Sequence, residues 1–187
     1  MTSNLPSSRG LSPEYVLLGF LCLKPMHGYE LHQQMKQHLG EIWHISQSQV
    51  YNILKRLEGN DFISAVREDQ EKLPDRIIFH IMEGGRDHFA DWLNQPTRCN
   101  VKAIRVEFLT RLFFSWRLMN GTIQQMIDEQ QEHTEEEFQQ LSERFEGLPQ
   151  NQVFNRLGLS LRLKQIESTL LWLDEVDKNM VGEESKE

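Results

Sequence analysis

No apolar run in the sequence reaches the roughly 18 residues that a membrane-spanning helix needs, and the N-terminus lacks the pattern of a signal peptide. Cysteine is scarce as well. Cys22 and Cys99 are the two cysteines of the chain, and neither belongs to a CxxC motif. A chain with this pattern is not built on disulfide bonds. We therefore expect a cytoplasmic protein with no membrane partner and two reduced thiols, with Cys22 in a core.

The sequence also lacks the motifs that mark common enzyme sites. It contains neither a Gly-rich phosphate-binding loop nor a nucleophile elbow. Some of its seven histidines are close neighbours, such as His27 and His32 or His38 and His44, but they do not form the paired ligand sets that hold zinc. We expect no enzymatic activity, no metal and no cofactor.

The net charge of −8 at first sight argues against a nucleic-acid partner. The acidic excess is uneven, however. Residues 1–100 contain 10 Lys and Arg against 12 Asp and Glu, whereas residues 101–187 contain 10 against 16. DNA affinity depends on local cations that neutralise phosphates, so the total charge does not decide it. The charge is compatible with DNA binding but does not favour it.

Residues 11–95 show the pattern of three short helices followed by a two-stranded hairpin. Ser12 is a candidate cap for the first helix, and the second helix opens at His27 and closes at Gly40. Ser46 is the candidate cap of a third helix over 47–58. The remaining predictions are strands over 62–67 and 76–81 and a helix over 84–94. This order predicts a winged helix-turn-helix domain.

The rest of the chain has a helical pattern, after a candidate boundary at 95–98. Helices are predicted over about 102–119, 122–145 and 150–179, and the middle one is polar enough to be a solvated spacer. Apolar residues of the last helix follow three- and four-residue steps that are typical of a pairing seam. We expect two chains to pair through this seam, with help from the first of these helices: Leu159, Leu163, Ile166, Leu170, Leu173, Phe108 and Leu112.

These elements predict a mostly α fold with a small β-hairpin wing. The predicted organisation is a flexible arm over 1–10, a winged helix DNA-binding domain over 11–95, a helical dimerisation domain over 96–180 and a flexible tail over 181–187.

The predicted third helix has one face that can pack and another that can bind. Its apolar stripe comprises Val50, Ile53, Leu54 and Leu57. The opposite face carries amides, hydroxyls and cations, with a tyrosine beside them: Gln47, Ser48, Gln49, Tyr51, Asn52, Lys55 and Arg56. Gln and Asn can pair with adenine edges, whereas Lys and Arg can contact guanine or phosphate. Many exposed helices have such a face, so it is the position of this helix in a winged helix that favours the major groove.

The predicted wing carries charges of both signs. It supplies the cations Arg67, Lys72 and Arg76. The same hairpin carries four acidic residues that would cancel much of their field: Glu68, Asp69, Glu71 and Asp75. The sequence therefore leaves the contribution of the wing to DNA binding open.

Three blocks of the sequence resemble PadR-type transcriptional regulators, in the order and spacing of that family. They are Tyr15–Leu21 followed by Met26–Leu31, then Val50–Glu58, and then Pro74–Phe79. The C-terminal half resembles, in length and pattern, the longer helical region of a branch related to virulence activators. The resemblance implies a winged helix, a dimer built on C-terminal helices, and repression that a small aromatic or phenolic compound relieves.

The resemblance also implies roles for individual residues. His27 and Tyr29 would support or touch the DNA backbone. Groove contacts would come from Gln47, Gln49, Tyr51 and Asn52, and phosphate contacts from Lys55, Arg56 and Arg76. The chain departs from the family at Asp61, where a glycine is usual, and at Met82, where a capping threonine is usual. Leu73 and Ile77 also stand where the wing of the family is more basic.

The sequence therefore predicts a homodimeric, sequence-specific repressor that binds double-stranded DNA through helix 47–58. An aromatic effector could bind beside Phe113, Trp116 and Trp172, although such residues are more often core or dimer interface. The alternative is a winged-helix module that binds proteins and not DNA, which the acidic balance would suit.

Overall fold

A computed structural model describes residues 12–68, 76–118, 121 and 123–184. The chain divides into two compact units, Met1–Gln95 and Pro96–Glu187. The predicted arm at 1–10, the wing tip with Lys72 and the last three residues of the predicted tail lie outside the described residues. No described helix combines the length and the apolarity that crossing a bilayer requires.

The first unit is a winged helix, as predicted. Its described residues form four helices, α1 (Glu14–Leu23), α2 (Gly28–Leu39), α3 (Gln47–Gly59) and α4 (Glu83–Leu93). They also form three strands, β1 (Met26–His27), β2 (Ile63–Glu68) and β3 (Arg76–Ile81). They form an antiparallel sheet in the order β1-β3-β2. The short strand β1 was not predicted, because two residues carry no periodicity.

The core of this unit forms around α1, whose residues Tyr15–Leu21 are all buried. The ring of Tyr15 stacks on Trp92 of α4 at 4.6 Å between centroids and on His88 at 5.1 Å. His88 also stacks on Phe62 at 4.5 Å. This aromatic stack fixes α4 against α1. Cys22, expected in the core, is half-buried because it lies on the rim of α1.

Local predictions about helix and strand ends had mixed outcomes. Ser46 caps α3 as predicted, and Asp61 adopts the left-handed backbone that its place after α3 requires, with φ of 56°. The predicted cap at Ser12 is wrong, because Pro13 occupies the capping position with a helical backbone and makes no side-chain cap. Strand β2 begins one residue later than predicted, because the backbone of Phe62 bonds Leu57 and Met82 instead.

The second unit is helical. It contains α5 (Val101–Ala103), a π-helical segment (Ile104–Phe108), α6 (Leu109–Arg117), α7 (Ile123–Glu146) and α8 (Val153–Glu184). A single regular helix was predicted over 102–119, and this was wrong because the π-helical segment widens one turn. The backbone N–H of Leu109 bonds the carbonyl of Ile104, five residues back. The wide turn places the consecutive residues Val106, Glu107 and Phe108 in the interior.

Helices α7 and α8 form an antiparallel hairpin. The amide of Gln124 donates to Asp177 at 2.7 Å and that of Gln131 donates to Asp174 at 2.9 Å, while Arg162 pairs with Glu137. The inner residues of α7 join the core cluster of this unit: Ile104, Phe108, Leu112, Ile123, Ile127 and Leu173. The predicted solvated spacer is therefore a packed helix, and the prediction was wrong.

Candidate nucleic-acid interface

The start of α3 is fixed by a reciprocal cap. The backbone N–H of Gln49 donates to Oγ of Ser46 at 3.3 Å, and the backbone N–H of Ser46 donates to Oε1 of Gln49 at 2.8 Å. Such a capping box satisfies two helix-end donors and typically stabilises a helix by about 1 kcal/mol. Oε1 of Gln49 is thus engaged within the helix, which restricts the predicted role of this residue as a base reader.

The centre of the outward face of α3 consists of Ser48, Asn52 and Lys55. Their spacing of four and then three residues places them in one row, and all three are exposed. The opposite face is the predicted apolar stripe, which is buried. Lys55 has no ion-pair partner in the described part of the chain. This row offers a hydroxyl, an amide and a free ammonium group to a partner in solution, and exposed Gln47 lies at its N-terminal end.

Tyr51 lies on one flank of this row and packs against the start of α2. A Cβ atom added to Gly28 would lie 2.7 Å from Cε1 of the Tyr51 ring, so the ring can approach only because residue 28 has no side chain. Tyr51 remains about half exposed. It therefore sets the position of α3 against α2 and still presents an edge to solvent.

His27 and Tyr29 have separate roles at the start of α2. Nδ1 of His27 accepts a hydrogen bond from the backbone N–H of Glu30 at 2.9 Å, so His27 caps α2. Tyr29 is exposed, with its ring centroid 6.4 Å from that of His27. Of the two, Tyr29 offers the surface that a DNA backbone could meet.

Arg56 lies on the other flank of α3 and is turned toward α1. Its Nη2 lies 2.7 Å from Oε2 of Glu14, and Oε1 of the same carboxylate lies 3.7 Å from Nε2 of His88. The predicted phosphate contact of Arg56 is therefore not preformed, because the guanidinium group points away from the row of Ser48, Asn52 and Lys55.

The described part of the wing is a two-stranded ribbon. Arg67 is exposed on β2, as are Val66 and, across the hairpin, Ile77. Arg76 begins β3 opposite Glu68, and its side chain lies outside the described residues. The described wing thus contributes one exposed cation beside an apolar surface.

The predicted pairing seam of α8 largely faces its own chain. Ile166 and Leu173 are buried, as are the helper residues Phe108 and Leu112. The other three seam residues are half-buried: Leu159, Leu163 and Leu170. The physical reason is that α7 covers this side of α8. Helix α8 has two apolar faces, and the predicted seam is the inner one.

The second apolar face of α8 is exposed. Phe154 is 87% exposed, Leu157 60% and Leu161 59%, and Leu171 is exposed nearer the C-terminus. The steps from 154 to 157 and from 157 to 161 are the three- and four-residue steps of a pairing seam. We call Phe154, Leu157 and Leu161 the outer stripe. The sequence shows the spacing of the outer stripe, but it shows the same spacing for the inner seam. The spacing alone therefore does not tell which of the two faces is exposed.

The three residues of the predicted effector pocket have different surroundings. Phe113 packs edge-on against Phe114, Trp116 is exposed, and Trp172 lies edge-on to Phe108. Trp172 does line a groove of about 570 Å³ formed by α5, the π-helical segment, α6 and α8. Arg105 and Lys164 border this groove, and neither is ion-paired among the described residues.

The titratable cluster in the second unit is not arranged as a metal centre. Sγ of Cys99 lies 3.0 Å from Nδ1 of His133 and 3.5 Å from Oγ1 of Thr134. Burial raises the pKa of the Cys99 thiol, while hydrogen bonds to Thr134 and Gln130 act in the opposite direction. Within the described ranges, no group of three or more His, Cys, Asp or Glu side chains could hold a metal ion.

Comparison with known proteins agrees with this architecture. The model of the Transcriptional regulator PadR-like family matches residues 17–91, and that of the Virulence activator alpha C-terminal region matches residues 104–180. A probable transcriptional regulator of Mycobacterium tuberculosis is 29% identical over 82 residues, which cover 44% of this chain and 43% of the relative. The negative transcriptional regulator PadR of Bacillus subtilis is 29% identical over 103 residues, which cover 54% and 55%.

The chain thus spans about half the length of the curated relatives it matches. Among solved structures, the crystal structure of Bacillus subtilis PadR in complex with operator DNA is similar with a TM-score of 0.44 and 22% identity. That similarity covers 88% of this chain and 97% of the other. The first unit is thus similar to the PadR-like family of transcriptional regulators, and the second unit is similar to the virulence activator alpha C-terminal region.

Proposed function

We propose that the protein is a sequence-specific transcriptional repressor without enzymatic activity, which binds double-stranded DNA as a homodimer and places α3 in the major groove. The observation that carries this proposal is the outward row of α3. Ser48, Asn52 and Lys55 are exposed on a helix that is capped at its start and packed along its opposite face. The Bacillus subtilis relative, a negative regulator, supports repression.

The chemistry of the row matches base edges and phosphates. The amide of Asn52 can bind the N6 and N7 edge of adenine in a bidentate manner, and the hydroxyl of Ser48 can bond several bases. Lys55, which lies furthest along the helix, can reach guanine or a phosphate. Two such helices in a dimer would read half-sites about 34 Å apart on a pseudo-palindromic operator.

The outer stripe of α8 is the surface that we assign to the second copy. Large apolar side chains that are contiguous and exposed usually mark an interaction site, and self-pairing gives the two-fold symmetry that a palindromic operator needs. Leu157→Asp combined with Leu161→Asp should give a folded monomer in analytical ultracentrifugation. Asn155→Asp, which adds the same kind of charge off the stripe, should remain a dimer. If the double variant remains a dimer, the two copies pair through a surface other than the outer stripe.

The effector of this regulator would be a small aromatic acid in the groove of Trp172. The apolar wall suits a ring, and Arg105 and Lys164 suit a carboxylate. Calorimetric titration with 4-hydroxybenzoate should show binding that Arg105→Ala weakens at least about tenfold, the effect of losing roughly 1.4 kcal/mol. Lys102→Ala, a neighbouring exposed cation outside the groove, serves as the control. Equal binding by both variants would exclude this groove.

Selection from a genomic DNA library with the purified protein tests the function and returns the operator. Titration of that operator over a salt series should give a steep negative slope of log affinity against log salt. The alternative is a winged helix that binds a protein. It would be supported by the absence of binding above background at about 50 mM salt, where electrostatic DNA binding is strong.

A further inference from the structure

We infer that Glu14 acts as an internal competitor of the DNA phosphates, which holds Arg56 away from the DNA and thereby limits affinity. The inference rests on the proposed function. Arg56 belongs to the proposed recognition helix, yet its guanidinium group reaches across to α1, where Nη2 and Oε2 of Glu14 lie 2.7 Å apart. The two residues are 42 positions apart in the sequence, so the fold alone brings them together.

The acidic partner is the fixed one. Glu14 lies in the first turn of α1, where the helix dipole favours a negative charge. Its second oxygen faces His88, whose ring is stacked against both Tyr15 and Phe62. The Glu14 side chain is 21% exposed, against 55% for that of Arg56. The carboxylate of Glu14 is thus the more buried partner of the pair, and the guanidinium group of Arg56 is the more exposed one.

The ion pair is weak enough to be reversible. Pairs that are partly exposed contribute typically about 0–1 kcal/mol. A guanidinium group that lost Glu14 would remain on the exposed rim of α3, where a phosphate oxygen could replace the carboxylate oxygen as its hydrogen-bond acceptor. Arg56 therefore contacts a phosphate only after it leaves Glu14, whereas Lys55 can contact a phosphate directly.

The count of phosphate contacts tests this inference, because each contact adds about 0.9 to the slope of log affinity against log salt. In the wild-type protein, Arg56→Gln should leave the slope unchanged. Glu14→Gln should steepen it by about 0.9 for each bound subunit, so that affinity falls an additional three- to fourfold per subunit between about 50 and 200 mM salt. The double variant Glu14→Gln with Arg56→Gln should return to the wild-type slope.

Glu58→Gln is the matched control, because it removes one exposed negative charge from α3 itself and releases no cation. It should shift affinity slightly and leave the slope unchanged. The inference is overturned if Arg56→Gln flattens the wild-type slope, since Arg56 would then already contact DNA. It is also overturned if Glu14→Gln leaves the slope unchanged while lowering the melting temperature, since the pair would then be a structural clamp. A wild-type protein without salt-dependent binding would instead remove the proposed function, and the inference with it.

Discussion

Oε1 of Gln49 accepts a hydrogen bond from the backbone N–H of Ser46 at 2.8 Å, on the same helix surface where a base reader was predicted. The bond closes the capping box that begins α3. One side chain therefore cannot fully serve both purposes, because the carbonyl oxygen that pairs with an adenine amino group is already occupied. In the outward row of α3, Oγ of Ser48 lies 2.9 Å from Oγ of Ser46. The side chains of Asn52 and Lys55 have no such hydrogen bond within the described residues.

Two substitutions of Gln49 separate capping from base reading. Gln49→Ala removes the return bond to Ser46 and should cost about 0.5–1 kcal/mol of stability. Gln49→Glu keeps the capping box, since glutamate is equally suited to that position. It should melt with the wild-type protein, bind all sequences somewhat more weakly because of its charge, and keep the base preference. A changed base preference in the glutamate variant would restore Gln49 as a reader.

Asn52→Ala should change specificity without changing stability. The side chain is exposed and makes no hydrogen bond within the described chain, so the free energy of unfolding should stay within about 0.5 kcal/mol of that of the wild-type protein. The loss of a bidentate contact should relax the preference at one base position by roughly 1–3 kcal/mol. Binding to libraries randomised at each operator position measures this. A uniform loss across positions would mean that Asn52 contacts the backbone instead.

Neighbouring glycines of α4 should respond in opposite ways to alanine. A Cβ atom at Gly85 would lie 2.1 Å from the carbonyl oxygen of Phe62, a backbone atom that cannot move freely. Gly85→Ala should therefore destabilise the first unit by about 3 kcal/mol or more. At Gly84 the nearest atom is 3.9 Å away, so Gly84→Ala should be neutral or stabilising by up to about 1 kcal/mol. Thermal unfolding of both variants tests this, and similar melting temperatures would contradict the close packing of α4 on Phe62.

Cys99 should be an unreactive thiol despite its contact with His133. Burial raises the pKa of its thiol, so little thiolate forms near neutral pH, and the thiolate fraction grows only as the pH rises through the raised value. In the Cys22→Ser variant, which leaves Cys99 as the single thiol, iodoacetamide should react much more slowly in the folded state than in denaturant. Rapid labelling of the folded protein at pH 7 would show that His133 activates the sulfur.

Local signals in the sequence predicted most of the first unit. The apolar stripe of α3, the cap at Ser46 and the strand ending at Ile81 depend on residues near one another in the chain, and the structure confirms them. The position of Arg56 could not be predicted in this way, because its partner Glu14 lies in another helix. The same limit applies to β1, which exists only through its pairing with β3.

The second unit was harder to predict because α8 is apolar on two faces. Leu163 and Ile166 belong to one seam and Leu157 and Leu161 to another, and both follow heptad-like steps. Only the packing of α7 decides which face is internal. The polar composition of α7 concealed this role, since few of its residues, such as Ile127 and Leu141, supply its buried contacts.

The wide turn at Ile104–Phe108 means that one surplus residue sets the phase between α5 and α6. Deleting the exposed Arg105 would remove the surplus residue, so the chain could run on as an ordinary α-helix with the following residues on the same face as before. Leu112 and Phe114 would then stay in the interior. The loss of a single codon at this point would thus be absorbed by the wide turn, whereas the same loss within the regular helix α6 would rotate all later residues by about 100°.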